Sequence, residues 1–253
     1  MGSAHSHSLH GTDLTVRSAH ASDVGRVRDH NEDDLLDARG AWAVADGLGG
    51  HAAGEVASGI AVEALRALAD HDVAGPDDVV VAVAEANRRI LAAQHAHREQ
   101  RGMGTTVTGL ALTVGPEPRW VVFNVGDSRV YRLDAGGIEQ LTRDHSEVRE
   151  LVDAGLLDPA DVPFHPMRHV ITRSLGVSRD VVPDTWVRPV QAGEWFVVCS
   201  DGLTNEVPDD EIGRLVADAG DPQAAADALV AAALEAGGRD NVTVVVVAVD
   251  PAP

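Results

Sequence analysis

The chain contains no lysine; every fixed side-chain cation among its 253 residues is an arginine. Positive charge is scarce altogether, with 20 basic against 40 acidic residues and a formal net charge of −20. Such a balance argues against binding to nucleic acid or to an anionic membrane surface, both of which draw basic patches. A single cysteine, Cys199, rules out an intramolecular disulfide and makes a reducing, cytoplasmic setting the expectation. It ends the apolar run Trp-Phe-Val-Val-Cys and reads as a small buried hydrophobe. Aromatic residues make up only 3% of the chain, so a core must be assembled from Ala, Val, Leu and Ile. No apolar run approaches the length of a membrane span, and the N-terminus carries no apolar signal core.

What is present suffices for one large domain, since 44% of the residues are apolar. Residues 1–11, rich in Ser and His, are expected to be a disordered leader, and 12–250 a single domain acting as a monomer. Short β-like runs fall at 12–20 and 35–46. An Ala-rich segment at 52–70 carries Val, Ile and Leu at helical spacing, and a second helix is predicted over 77–99 behind Pro76-Asp77-Asp78. The period then switches to strands at Thr105–Val114, Trp120–Val125, Arg129–Leu133 and Ile138–Leu141. From about 144 to 180 the pattern weakens to one short helix near 146–154 and Pro/His punctuation, which reads as a flap insertion. Strands return at 182–188 and 195–200, helices at 209–218 and 222–236, and a nearly all-apolar central strand at Val242–Val249. Paired helices between blocks of strands do not fit alternating βαβ winding. They fit an α+β, four-layer α-β-β-α sandwich, in which two antiparallel sheets are flanked by helix pairs.

Three aspartates stand out at the ends of apolar runs: Asp46 in Val-Ala-Asp-Gly, Asp201 in Cys-Ser-Asp-Gly and Asp240 in Arg-Asp-Asn. One Asp-Gly pair alone is ordinary turn chemistry. Hard carboxylates brought to strand ends from distant parts of a chain are also a means of holding hard divalent cations. Further motifs accompany them: Gly-Arg-Val-Arg-Asp-His-Asn-Glu-Asp at 25–33, Gly-Met-Gly-Thr-Thr at 102–106, Asn-Val-Gly-Asp-Ser-Arg at 124–129 and Leu-Thr-Arg-Asp-His-Ser at 141–146.

This ordered series, running from about 14 to 249, resembles the bacterial branch of the metal-dependent serine/threonine protein phosphatases, the type 2C family. The resemblance implies the same sandwich fold. It implies hydrolysis of phosphoserine and phosphothreonine on proteins by a metal-activated water at a binuclear Mn²⁺ or Mg²⁺ centre. Carried over position by position, Asp46 bridges the two metals and the Gly47 carbonyl ligates the second. Asp201 and Asp240 ligate the first. Glu32 and Asp33 hold metal-bound waters, Arg28 clamps the substrate phosphate, and Asp127 joins Asp201 in a weaker third-metal site. The implied partners are phosphorylated proteins and a cognate serine/threonine kinase or its targets. These roles suit the residue types. Mn²⁺ and Mg²⁺ favour octahedral oxygen coordination and keep several waters, so few direct carboxylates are needed. One Asp can span two ions about 3.5–4 Å apart, and a guanidinium fork matches two phosphate oxygens where an ammonium does not.

The pattern departs from the family at one place. Eukaryotic relatives carry a His directly after the Asp-Gly that corresponds to Asp46-Gly47; here Leu48 stands there and His51 follows three residues later. His51 is read mainly as a structural residue near a helix start, and Thr105 and Thr106 as strand residues supporting the site. Other readings are weaker. Gly47-x-Gly49-x-x-Ala52 mimics a dinucleotide fingerprint, but Asp46 would set a carboxylate beside the pyrophosphate and the topology is not βαβ. A phosphate loop needs a lysine, and a cysteine phosphatase needs an arginine where Asn205 stands. The alternative from another class is a catalytically silent phosphatase-like binding or regulatory module, which loss of the metal aspartates would mark; all are present.

Overall fold

A computed structural model describes residues 5–8, 13–49, 53–73, 75–115 and 117–251. In chain order the strands are β1 (His5–Ser8), β2 (Leu14–Asp23), β3 (Asp33–Ala38), β4 (Ala41–Leu48), β5 (Gly104–Thr105), β6 (Val107–Leu112), β7 (Arg119–Val125), β8 (Arg129–Asp134), β9 (Gly137–Gln140), β10 (Asp184–Pro189), β11 (Trp195–Cys199) and β12 (Val242–Pro251). The helices are α1 (Ala53–Leu65), α2 (Ala67–Asp70), α3 (Pro76–Ala96), α4 (Glu147–Asp153), α5 (Asp201–Thr204), α6 (Asp209–Ala219) and α7 (Pro222–Ala236). One antiparallel sheet runs β1-β2-β12-β11-β8-β9 and the other β10-β7-β6-β4-β3, with β5 on β4.

Strand alternation builds three apolar layers. Along β12, Val244 and Val246 face the α6/α7 pair, while Val245, Val247 and Val249 face the opposite sheet. Along β4, Ala41, Ala43 and Ala45 face α1, while Trp42 and Val44 enter the inter-sheet layer. Alanines of α1, among them Ala57, Ala61 and Ala64, meet those strand alanines, so small residues on both sides replace the missing aromatics. The scarce rings are concentrated between the sheets. Trp120 stands edge-on to Trp42 at 5.7 Å and to Phe196 at 5.0 Å between centroids. Its indole N–H donates to the buried Glu194 carboxylate at 2.6 Å, as a buried Trp requires.

Two helix starts follow local rules. Pro76 opens α3, with Asp78 accepting from the Gly75 N–H, and Asp221 caps α7 by accepting from the N–H groups of Gln223 and Ala224. The four-layer architecture therefore stands as expected, with three differences in detail. The leader is not wholly unstructured: His5–Ser8 pair antiparallel with β2, covering an edge that would otherwise expose unpaired N–H and C=O groups. The remainder of residues 1–11 lies outside the described residues, as does His51. The run at 105–114 is two strands, because Thr106 turns its backbone N–H toward the Asp46 carbonyl between β5 and β6. Residue 201 begins a short helix, which the apolar run before it did not signal.

Candidate active site

The cleft lies where β3, β4, β11 and β12 meet their loops. Asp33 and Asp46 are direct cross-strand partners on β3 and β4. Asp201 follows β11 and Asp240 precedes β12, so both are brought in from the second sheet. Asp127 sits on the β7–β8 turn. A cleft of about 740 Å³ is lined by Arg28, Glu32, Asp46, Gly47, Asp127, Asp201 and Asp240, joined by Arg168 and His169 of the flap. Of the residues expected at the site, only Asp33 does not line it; its Oδ2 accepts from the Ser200 hydroxyl at 2.8 Å behind the cleft wall.

Asp46, Asp33 and the loop that carries Arg28 and Glu32 are held from behind. The Asp46 N–H donates to Thr106 Oγ1 at 3.0 Å, and its carbonyl accepts from the Thr106 N–H and the Thr105 hydroxyl. Ser200 also accepts from the Thr243 N–H, so the two sheets share a hydroxyl at the site. Asn241 organises the Arg28 loop: its amide donates to the carbonyls of Val24 and His30, and its Oδ1 accepts from the Glu32 N–H at 2.8 Å. In the sequence Asn241 is visible only as the residue after Asp240. Nothing in the motif signals that its four-way bonding capacity spans loops more than two hundred residues apart.

The two Asp-Gly pairs are not turns. Neither Gly47 nor Gly202 has a positive φ. Each is a place of close backbone approach: a Cβ on Gly47 would stand 2.5 Å from the Glu32 and Gly54 carbonyl oxygens, and one on Gly202 1.9 Å from the Asn241 carbonyl oxygen. Each contact holds neighbouring segments of one sheet together at the cleft: Glu32 and Gly54 against Asp46-Gly47, and Asn241 against Asp201-Gly202.

The carboxylates gathered at the cleft are electrostatically unbalanced. Burial, followed by repulsion from Asp33, Asp201 and Asp127, pushes Asp46 well above the usual carboxylate range. Burial and the charge of Asp201 raise Asp127 to about 8. Burial also raises Asp33 to about 7, against opposing hydrogen bonds from Ser200 and Thr243. Asp201 moves in the same direction through burial and Asp240, and Glu32 through burial. One Asp127 oxygen is buried without a hydrogen-bond partner among the described residues. Against this stands, among the described residues, one arginine contact: Arg28 donates to Asp240 at 2.8 Å and leaves further donors at the cleft. Hard divalent cations fit this donor set, because they supply the missing positive charge and favour carboxylate oxygen. Among the described residues no three His, Cys, Asp or Glu side chains form a ready-made metal cage. The carboxylates surround a cleft and not a point, which suits ions that retain part of their water.

Cys199 takes no part. It is fully buried, and desolvation pushes its thiol up to about 12.

A sandwich of this topology is shared with serine/threonine phosphatases of known structure. The chain belongs to the protein phosphatase 2C family, whose model matches residues 25–235, and it is a serine/threonine protein phosphatase of that family. It is 36% identical over 237 residues to the serine/threonine phosphatase stp of Listeria monocytogenes, covering 89% of this chain and 93% of that protein. It is 40% identical over 238 residues to the serine/threonine protein phosphatase PstP of Mycobacterium tuberculosis, covering 92% of this chain but 45% of that longer protein. The crystal structure of the latter superposes with a TM-score of 0.88 at 38% identity, over 93% of this chain and 99% of that one. A PstP catalytic domain in complex with two manganese ions superposes with a TM-score of 0.86 at 37% identity, over 94% and 99% of the two chains.

Proposed function

We propose that the chain hydrolyses phosphoserine and phosphothreonine on proteins at a binuclear Mn²⁺ or Mg²⁺ centre held in this cleft. The observation that carries the reading is the burial of Asp46, Asp127 and Asp201 around one cleft, with no cationic side chain among the described residues bonded to them. Asp46, the Gly47 carbonyl, Asp201 and Asp240 would hold the two ions, Asp127 a weaker third, and Glu32 and Asp33 the surrounding waters. When bound, such ions polarise phosphoryl oxygens and lower the pKa of water between them.

The chain's own residues supply position. Thr105 and Thr106 hold the Asp46 backbone, so its carboxylate is presented from a fixed strand end. Asn241 fixes the loop that carries Arg28 and Glu32. Arg28, half exposed at the cleft mouth and anchored by one bond to Asp240, is placed to take two phosphate oxygens with its remaining N–H donors. The flap contributes Arg168 and His169 to the cleft, and it carries Leu156 and Phe164, which are 76% and 83% exposed. Exposed apolar side chains on the segment that lends Arg168 and His169 to the cleft suit a protein substrate, which has flanking residues to place against them, better than a small phosphate ester. Residues 12–250 act in this reading as one cytoplasmic, monomeric domain with a flap at about 144–180. No helix among the described residues is long and apolar enough to cross a membrane.

The test is phosphate release from a phosphothreonine peptide with Mn²⁺, with Mg²⁺ and after chelation. Release that requires the ions is expected. Folded protein that binds Mn²⁺ yet frees no phosphate from any peptide or aryl phosphate would overturn the reading.

A further inference from the structure

Beside α6 lies a recess that the phosphatase reading leaves unused. It is bounded by the β8–β9 hairpin, the start of β11 and α6, encloses about 460 Å³, and is walled by Leu133, Ile138, Trp195, Val216 and Ala217. β8 and β11 pair antiparallel, Leu133 against Trp195 and Arg129 against Cys199. Asp127 and Asp201 lie just beyond the Arg129 and Cys199 ends of these strands. The recess therefore occupies the ends of the same two strands that face away from the cleft, four residues or about 13 Å of strand further on.

Missing side chains make the recess. Gly213, in the middle of α6, lets that helix close onto β9: a Cβ there would stand 3.3 Å from the Ile138 side chain. Around the rim, a Cβ on Gly137, Gly193 or Gly220 would meet nothing within 4 Å. The floor reaches Leu133 and Val216, which belong to the apolar layer under α6 and α7. Two carboxylates, Asp134 and Asp210, complete the lining, and no arginine or histidine joins them among the described residues. Asp210 is exposed in the first turn of α6 and makes no hydrogen bond or ion pair among the described residues. An acid there complements the helix dipole, which accounts for its charge but not for its place on an apolar recess. Asp134 pairs with Arg132 at 2.8 Å, yet that guanidinium is shared with Glu139 and Glu194. The charge around the recess thus stays negative, and an indole is the ring that draws a cation most strongly.

We propose that this recess binds a small amphipathic cation, with an apolar ring against Trp195, Ile138 and Val216 and a protonated amine at Asp210 and Asp134. Its volume suits a ligand of that size. None of the large exposed apolar side chains lies on its lining, so no wider apolar face extends from it toward a protein partner. The site shares no residue with the cleft and stands apart from the phosphatase reading.

Titration of naphthylethylamine into the Mg²⁺-loaded protein tests it, with calorimetry for affinity and NMR for location. Mg²⁺ in excess keeps the amine from the acidic cleft. The amine should saturate one site with a Kd on the order of 1 mM and shift the Trp195 indole and the Ala217 and Gly220 amides. Naphthylethanol, neutral and of the same shape, should bind roughly fivefold more weakly, and so should the amine to Asp210→Asn. Ala217→Phe, at an exposed helix position, fills the recess and should abolish binding while aryl phosphate hydrolysis stays at the wild-type rate. Equal affinity for amine and alcohol would overturn the proposal, as would shifts confined to the cleft or undiminished binding to Ala217→Phe. If Ala217→Phe does not fold, the alcohol and Asp210→Asn decide. A peptide of alternating Leu and Arg that binds the recess tenfold more tightly than the amine would assign it to a protein partner and overturn the small-ligand reading.

Discussion

Two buried charged clusters lie on either side of one turn, and they are built on opposite plans. Asp127 faces the cleft, where several carboxylates meet, among the described residues, a single arginine contact. Two residues later Arg129 faces away, where its guanidinium binds Asp144 through three hydrogen bonds of 2.7–3.1 Å, and Tyr131 bridges it to Asp209. Burial works against the Arg129 charge, yet Asp144 holds it firmly protonated. The second cluster is complete without help. The first is left short of positive charge, and this separates a structural ion pair from a site built for a ligand.

The sharpest way to break the contrast is Asp46→Asn, which removes a charge from the unbalanced cluster. Activity at micromolar Mn²⁺ should fall by roughly 100-fold, the upper range for a residue that holds a metal or its shell, while thermal stability of the metal-free protein stays level or rises. A near-normal rate would remove Asp46 from the centre.

Arg129→Met should do the reverse. It unbalances the complete cluster and leaves Asp144 buried with Gln140 as its remaining side-chain donor. Urea denaturation should show a loss of about 2–3 kcal/mol, below the range for a fully buried pair because the Arg129 side chain keeps 24% of its exposure. Adding Asp144→Leu should recover part of it. A loss under about 0.5 kcal/mol, the usual size of a surface change, would mean the network is decorative.

Acidity discriminates more finely. The folded-state values of Asp33 and Asp127, about 7 and about 8, lie above their unfolded values, so in the metal-free protein the folded state binds the extra protons. Their contribution to stability is full below the unfolded value near pH 4 and is lost as pH rises through the folded values. Metal-free protein should therefore weaken between about pH 5 and pH 8, by an amount on the order of a few kcal/mol. The rise in Tm on adding Mn²⁺ should be larger at the alkaline end. A Tm gain that does not change with pH would show that these carboxylates are already charged without the ion.

The smallest effect belongs to the flap. Phe164→Ser should raise KM for a phosphoprotein a few-fold, a loss of about 1 kcal/mol of apolar contact, and leave aryl phosphate hydrolysis unchanged. Equal effects on both substrates would favour a passive surface loop. Arg28→Ala, by contrast, should raise KM for both substrates while calorimetry shows unaltered Mn²⁺ binding; metal binding lost with KM unchanged would reverse its role.

Periodicity and composition are enough to read the layered fold, because alternation along β4 and β12 and the Ala-rich helical stripes are local signals that packing respects. The carboxylates are legible for another reason: one Asp-Gly pair is ordinary turn chemistry, but Asp46, Asp127, Asp201 and Asp240 fall in an ordered series of motifs that resembles a known family. The features that sequence reasoning misses share a different cause. β1 forms because it covers an edge, and an edge is a property of the assembled sheet. Gly47 and Gly202 look like turn residues, but what excludes a side chain is a carbonyl from elsewhere in the chain. Asn241 acts across loops that only the closed sandwich brings near. For Gly202 and Asn241 the decisive neighbour is distant in sequence, and no local pattern encodes it.

The ring cluster between the sheets also makes the molecule its own optical reporter. Trp42 and Trp120 are wholly buried, and the edge-on rings around Trp120 are held in fixed relative orientations. Trp42 belongs to the same strand as Asp46, but its side chain turns to the inter-sheet layer, whereas the other two tryptophans, Trp186 and Trp195, are only partly covered. Tryptophan emission and near-ultraviolet dichroism will therefore register separation of the two sheets with a strong signal and filling of the cleft with a weak one. The folding transition can thus be followed optically with little interference from what binds in the cleft.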